Sequence, residues 1–265
     1  MSAVAGLPGR RLTDGARAAY PALLVGVLGL AVWELGVQVT GVQSFILSAP
    51  SGIAAALAEN YGTILSATRI TATAIAIGML LGTGLGLLGA LLTSALDRFA
   101  DPVIGVAAIV SCAPVVALAP IFNAWFGATS IMSKAGVAAI MVFFPVYVNA
   151  TRGLLRVSPQ HRELMSSVSG TPAQLMWMVR VPGALPYWFN GMRIASTLCV
   201  IGVIVAEYFG GSVNALGVYI ANTAALSQFA STWAGVVIAS ILGLTIYATV
   251  GLLERLCLPW ERATS

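Results

Sequence analysis

Two acidic side chains interrupt long apolar stretches of this chain. Glu34 lies inside an apolar run that begins near Tyr20, and Glu207 lies near the end of a later run. An ionisable group inside a membrane is costly, so such groups commonly serve ion, proton or substrate movement. A structural role is the alternative. For Glu34 the pattern favours an ion pair or a local helix contact, and for Glu207 the alternative is a hydrogen bond to backbone at a helix end.

Residues that could support enzyme chemistry are sparse. His161 is the only histidine, and the sequence contains no metal-ligand cluster and no nucleophile–base pair. Cys112, Cys199 and Cys257 are isolated, which indicates neither a zinc site nor a disulfide framework. There is no G-x-x-x-x-G-K-[S/T] segment, and the single lysine, Lys134, has other neighbours. The chain therefore lacks the usual loop for ATP phosphates, and a membrane enzyme is disfavoured.

The composition is that of an integral membrane protein. Hydrophobic residues make up 58% of the 265 residues and charged residues only 8%, with a mean hydropathy of +0.93. A soluble domain is typically about 25% charged, so this chain could not cover a globule with polar surface. The net charge of +4 comes from arginines spread over loops. We therefore expect lipid around the chain and no nucleic-acid partner.

Six apolar stretches are long enough, or nearly so, to cross a bilayer, which takes about 20 helical residues. They are residues 20–40, 64–93, 103–125, 132–150, 188–209 and 231–253. The third contains Pro114 and Pro120, which leave main-chain carbonyls without helical donors, so we expect it to face protein or a watery cavity. The predicted fold class is all-α integral membrane, with about six transmembrane helices.

Glycines in the second stretch predict a close helix contact. Gly78, Gly82 and Gly86 recur every four residues. Small residues at this spacing let two helices approach closely in a membrane. We expect the partner helix to belong to the same chain rather than to another subunit.

Positive charge is concentrated on one side of this arrangement. If both ends of the chain lie on one side of the membrane, the opposite side holds only Lys134 and Arg69. The side with the chain ends then holds Arg10, Arg11, Arg17, Arg98, Arg152, Arg156, Arg162, Arg180, Arg255 and Arg262. The positive-inside rule then places both termini in the cytoplasm. We expect a mobile cytoplasmic tail over residues 1–18, one transmembrane domain over 19–255 with a cytoplasmic loop at 151–187, and a cytoplasmic tail over 256–265.

The predicted loop carries helix-capping signals. Ser158 and Pro159 are typical of an N-cap and a first helical residue. We expect Gly170 to end that helix in the left-handed conformation. Thr171, Pro172 and Gln174 then form a capping box for a second short helix. Pro182 and Pro186 are expected to bracket the return into the membrane. Such a helix pair could lie on lipid or enter a groove on a soluble partner.

This stretch resembles the cytoplasmic loop of ABC importer permeases. Their pattern is Glu-Ala-Ala-x-x-x-Gly, followed further on by Leu-Pro-x-x-Leu-Pro. Glu163 stands at the glutamate position, Ser169 at the glycine position and VPGALP (181–186) at the proline end. Residues 113–127, 133–154 and 203–220 are similar to segments of the nitrate/sulfonate/taurine-type permeases.

The resemblance implies a type I ABC importer-like fold and a homodimeric permease in the bacterial inner membrane. Each subunit would set its loop against an ATPase subunit that binds ATP and Mg²⁺, while this chain binds no cofactor. An extracytoplasmic binding protein would deliver the cargo. The resemblance also implies which residues contact the ATPase or shape the contacting loop. They are Glu163, Ser169, Gly170, Thr171, Pro172, Pro182 and Pro186.

The translocation path is expected along the third and fifth stretches. Its candidate residues are Cys112, Pro114, Asn123, Cys199, Val203 and Glu207. Few of them are polar and none is basic. A nitrate-, sulfonate-, taurine- or bicarbonate-like cargo and a pyrimidine- or flavin-type vitamin or precursor therefore both stay open. The alternative function is an ion- or proton-coupled secondary transporter in which Glu34 and Glu207 carry protons.

Overall fold

The computed structural model describes residues 10–43, 47–96, 99–211 and 214–260, and these ranges contain helices and no strand. The helices are α1 (Arg10–Thr40), α2 (Pro50–Glu59), α3 (Tyr61–Ala95), α4 (Ala100–Ser111), α5 (Ala119–Phe126), α6 (Ile131–Leu155), α7 (Pro159–Ser167), α8 (Pro172–Leu175), α9 (Val181–Tyr208), α10 (Leu216–Ala225) and α11 (Phe229–Cys257). A 3₁₀ turn (Val115–Leu118) precedes α5, and a π-helical turn (Met176–Arg180) joins α8 to α9. The all-α prediction is confirmed.

Four described helices are long and apolar enough to cross a membrane: Tyr61–Ala95, Ile131–Leu155, Pro172–Tyr208 and Phe229–Cys257. They match the second, fourth, fifth and sixth predicted stretches. The first predicted stretch lies within α1, which begins at Arg10 and thus inside the segment predicted as a tail. Residues 1–9 of that tail, residues 261–265 of the other, and Arg98 of the charge pattern lie outside the described residues.

The third predicted stretch is not one helix. Helix α4 ends at Ser111, a 3₁₀ turn follows, and α5 starts at Ala119. Pro114 follows the end of α4, and Pro120 occupies the first turn of α5, where its missing N–H costs no helical hydrogen bond. The expected interruption is confirmed, but a single span over 103–125 was wrong because the prolines divide it into separate helices.

The core of the chain lies where α3, α6 and α9 pack together. Ile75, Val142, Ala195 and Val203 are buried in one cluster at their centre. The glycine face of α3 makes this packing possible. A Cβ atom on Gly82 would lie 2.5 Å from the Ala139 carbonyl oxygen. The close contact falls inside the chain, as the glycine spacing predicted.

The fifth span is longer than predicted because proline does not break it. Helical structure runs from Pro172 to Tyr208, with Pro182 in the first turn of α9 and Pro186 within it. In the π-helical turn before them, the Val181 N–H donates to the carbonyl of Met176, five residues back. This wider turn makes room next to the first proline ring. The two prolines therefore do not interrupt the helix, and the return into the membrane between them stays a prediction.

Candidate functional site

The segment from the end of α6 through the π-helical turn, residues 156–180, is called the elbow loop below. Helix α6 runs to Leu155 and thus into the range 151–187 that is predicted to be cytoplasmic. Its first helix, α7, starts as expected. The Ser158 hydroxyl accepts a hydrogen bond from the His161 N–H at 3.4 Å and lies 2.7 Å from His161 Nδ1. Pro159 occupies the first turn. The N-cap prediction is confirmed.

A left-handed residue ends α7, and that residue is Ser169 rather than Gly170. Ser169 has φ of 54°. Its N–H donates to the Ser166 carbonyl at 3.0 Å, and the Gly170 N–H donates to the Met165 carbonyl at 2.8 Å. These two bonds form a Schellman motif, in which the left-handed residue precedes the last donor. The prediction for Gly170 was wrong by one residue, because the hydrogen-bond pattern decides which residue turns.

Gly170 is needed for a different reason. A Cβ atom at this position would lie 2.6 Å from Met165 Cε and 2.9 Å from the Met165 carbonyl oxygen. The chain passes so close to α7 that only glycine fits without a shift. The left-handed turn falls at Ser169, the position where the importer loop pattern has glycine.

The second half of the elbow loop is capped reciprocally. The Thr171 N–H donates to Gln174 Oε1 at 2.8 Å, and the Gln174 N–H donates to Thr171 Oγ1 at 3.3 Å. Pro172 stands at the first helical position. The predicted capping box is confirmed, and it sets the direction in which the chain leaves the elbow.

The elbow loop presents apolar side chains that the described chain does not cover. Their exposed fractions are 61% for Leu164, 65% for Val168, 64% for Trp177 and 68% for Met178. Glu163 is exposed beside them. The base of the loop is held by buried Arg180, whose Nη1 donates to the Ser94 carbonyl of α3 at 3.1 Å. A firmly held base with an uncovered apolar face can dock into a groove on another protein.

A cleft of about 530 Å³ lies between the end of α4, the segment after it, and helices α6 and α9. Pro114, one of the predicted path residues, lines it together with Phe144, Asn149 and Leu198. Cys112 is exposed and lies between Ser111 and Ala113, which both line the cleft. These two predicted residues therefore lie at or beside an open cleft.

Two other predicted path residues are placed elsewhere. Cys199 and Val203 are fully buried among the side chains of α3 and α6. On α9 it is Ile194 and Leu198 that face the cleft. One face of α9 packs against α3 and α6, and Cys199 and Val203 lie on that face.

Glu207 holds three helices together. It is 2% exposed. The Thr71 hydroxyl of α3 lies 2.9 Å from each carboxylate oxygen, and the Gly217 N–H at the start of α10 donates to Oε2 at 2.9 Å. The Leu216 N–H donates to the Thr71 hydroxyl at 3.0 Å. Glu207 thus has the structural role considered for it, since the carboxylate satisfies donors at a helix start.

Asn123, also predicted on the path, anchors a lysine. Lys134 is buried, and its Nζ donates to Asn123 Oδ1 at 2.8 Å, to Ser133 Oγ at 2.9 Å and to the Ala128 carbonyl. These bonds join α5 to the start of α6. Buried ammonium groups need such partners.

Glu34 joins α1 to α2. It accepts hydrogen bonds from Gln38 Nε2 at 2.7 Å, from the Ser51 N–H at 3.0 Å and from the Ser51 hydroxyl at 2.8 Å. The local helix contact that was favoured for Glu34 is confirmed by its hydrogen bond with Gln38, four residues further along the chain. The bond to Ser51 adds a cap for α2, whose N-cap residue Ala49 has no side chain to supply one.

Sequence reasoning missed several polar residues of these sites. Thr71 is one of several threonines in its helix, and threonine in an apolar helix commonly bonds its own backbone, so its partner could not be foreseen. Asn149 and Asn190 form an amide pair beside the cleft, with Asn190 Nδ2 donating to Asn149 Oδ1 at 3.3 Å. The only indication of these two residues in the sequence was the presence of an asparagine close to an apolar stretch.

Comparison with known proteins places these features in a transporter context. The model of the family described as "Binding-protein-dependent transport system inner membrane component" matches residues 74–258. The chain is 34% identical over 237 residues to the formylaminopyrimidine transport permease of Halalkalibacterium halodurans, covering 88% of this chain and 92% of that protein. It is 32% identical over 248 residues to the riboflavin transport system permease of Chloroflexus aurantiacus, covering 91% of each.

A third relative is a putative aliphatic sulfonates transport permease of Bacillus subtilis, 30% identical over 246 residues, covering 91% of this chain and 87% of the relative. The apolar helices and these matches define a multi-pass membrane transport protein. The chain belongs to the binding-protein-dependent transport system inner membrane component family and is an ABC importer permease.

Proposed function

We propose that two copies of this chain form the membrane pore of an ATP-driven importer for a small nutrient. Both termini and the elbow loop face the cytoplasm, where each loop docks on an ATPase subunit that carries ATP and Mg²⁺. A binding protein supplies the cargo from the other side. Nucleotide changes the pore only through its different affinity for the two conformations of the assembly, and the elbow loop transmits that difference.

The observation that carries this proposal is the shape of the elbow loop. Two capped helices meet at a Schellman turn, and their uncovered faces carry Leu164, Val168 and Trp177. Membrane lipid alone would require neither the capping box nor the turn. A soluble partner with an apolar groove requires a fixed angle between the two helices, because a rigid helix pair loses little conformational entropy on docking.

Relatives of this chain suggest the range of cargo. They are named as permeases for formylaminopyrimidine, riboflavin and sulfonates, and shorter matches are named for taurine, nitrate and bicarbonate. The proposed cargo is one small nutrient of this range. The two carboxylates on which a proton-coupled transporter would depend, Glu34 and Glu207, both hold structural hydrogen bonds.

The elbow can be tested with two adjacent substitutions. Gly170→Val places a branched side chain against Met165 and should move α7 relative to α8. We expect cargo uptake by the reconstituted transporter to fall at least about tenfold while the ATPase still hydrolyses ATP. A loss of about 1.4 kcal/mol in the free energy that couples the ATPase to the pore is enough for a tenfold effect.

Ser169→Gly is the matched control for this experiment. Glycine suits the left-handed conformation that Ser169 already adopts, so the turn is kept and uptake per ATP should match the unmodified chain. Equal uptake by both variants and the unmodified chain would contradict a role of the elbow in coupling.

A further inference from the structure

The cleft between α4, α6 and α9 has an uncharged lining with one aromatic face. Phe144, Pro145 and Val148 of α6 form one wall, and Ile194 and Leu198 of α9 form another. None of the described residues that line the cleft is charged. Its volume of about 530 Å³ falls in the range of about 300–1,000 Å³ typical of small-molecule sites.

The α6 wall of this cleft carries hydrogen-bonding groups. Asn149 lines the cleft, and its Nδ2 donates to the Pro145 carbonyl at 2.8 Å while its Oδ1 accepts from Asn190. A primary amide has two N–H donors and two acceptor lone pairs, so this pair keeps donors and acceptors available. Pro145 has no N–H, so the carbonyl of Met141, which also lines the cleft, loses its usual helical donor.

Two glycines hold α6 and α9 close together along this wall. A Cβ atom on Gly191 would lie 2.8 Å from the Pro145 carbonyl oxygen and 3.0 Å from Asn149 Cβ. On Gly202 it would meet the sulfur of Met141. The backbone therefore fixes where Asn149 lies, so its amide is a fixed part of the cleft wall rather than a mobile surface group.

We infer that this cleft is a contact site for cargo on its way through the pore, and that it accepts an uncharged planar heteroaromatic ring. Phe144 would stack on the ring face, and the Asn149–Asn190 pair would bond the polar ring edge. The inference rests on the proposed transport function and narrows its cargo. A sulfonate, nitrate or bicarbonate anion would lose its hydration in this cleft without meeting a positive charge, which is unfavourable.

Direct binding to the purified permease tests this inference, with and without its ATPase. Radiolabelled cytosine represents the uncharged ring and methanesulfonate the anion, and each is measured by equilibrium dialysis in lipid nanodiscs. We expect saturable binding of cytosine and none of methanesulfonate. Asn149→Leu should weaken cytosine binding about tenfold, because it removes hydrogen bonds that the site supplies to the ligand.

Two further variants secure the result. Phe144→Leu keeps apolar volume but removes the stacking surface, so it should also weaken cytosine binding severalfold. Asn222→Leu makes the same amide-to-leucine change on α10, away from the cleft, and should bind cytosine like the unmodified chain.

Preferential binding of methanesulfonate, no binding of cytosine, or binding that is unaffected by Asn149→Leu and Phe144→Leu would overturn the inference. If the ATPase in the same preparation is active, the proposed transport function would still stand although the inference about the cleft fails. If the ATPase does not associate with the permease at all, the proposed function fails. Cytosine binding by the permease without the ATPase would still show whether the cleft accepts an uncharged planar ring.

Discussion

A Gly82→Val variant is expected to yield no stably folded permease. The added Cβ would lie 2.5 Å from the Ala139 carbonyl oxygen and 2.6 Å from Val142 Cβ. Both contacts are with atoms close to the backbone of α6, so no flexible side chain can move aside. Overpacking a core typically costs about 1–3 kcal/mol, and here the whole α3–α6 contact must separate. Size-exclusion chromatography and thermal unfolding in detergent measure the effect.

Gly84→Val is the matched control. Gly84 lies two residues further along the same helix, and a Cβ there would meet no atom within 4 Å beyond its own stretch of helix. We expect its yield and unfolding temperature to match those of the unmodified chain. A folded and active Gly82→Val variant would show that α3 and α6 do not pack as described.

Replacing Glu207 with leucine is expected to have the next largest effect. The change leaves the Gly217 N–H without its acceptor and removes the partner of the Thr71 hydroxyl in a buried site. It also removes the negative charge that interacts with Lys134. Leaving a buried donor without its acceptor costs about 1–3 kcal/mol, and here the Gly217 N–H and the Thr71 hydroxyl both lose theirs. Thermal unfolding should therefore shift strongly downward, with uptake lost in parallel.

Glu207→Gln separates a structural role from proton transport. The amide oxygen of glutamine can still accept a hydrogen bond, so we expect this variant to fold and keep much of its uptake. If Glu207→Gln folds normally but abolishes uptake, the carboxylate has a direct part in transport, and the structural assignment is wrong.

The features that sequence predicted best are local. The caps at Ser158 and Thr171 each involve residues three positions apart, so the sequence itself contains both partners. The α3 glycine face was also readable, because its spacing marks a close contact whatever the partner helix. The turn at Ser169 shows the limit of local reading. Glycine is the usual left-handed residue, yet the bonds to Ser166 and Met165 placed the turn one residue earlier.

The features that sequence missed depend on residues far apart in the chain. Thr71 and Glu207 are 136 positions apart, and their contact exists only once α3, α9 and α10 are assembled. Arg193 and Glu254 form an ion pair at 2.5 Å between α9 and α11 for the same reason. The face of α9 that is buried could not be assigned either. Cys199 and Val203 are as apolar as Ile194 and Leu198, and only the packing of α3 and α6 distinguishes them.

The central claim is that ATP hydrolysis by a partner drives cargo through this chain. Its most direct measurement is uptake into proteoliposomes that contain the permease, its ATPase and its binding protein, energised either by enclosed ATP or by a proton gradient. We predict uptake with ATP and Mg²⁺, none with the gradient alone, and no change when the gradient is collapsed in the presence of ATP. Uptake driven by the proton gradient without ATP would contradict this account.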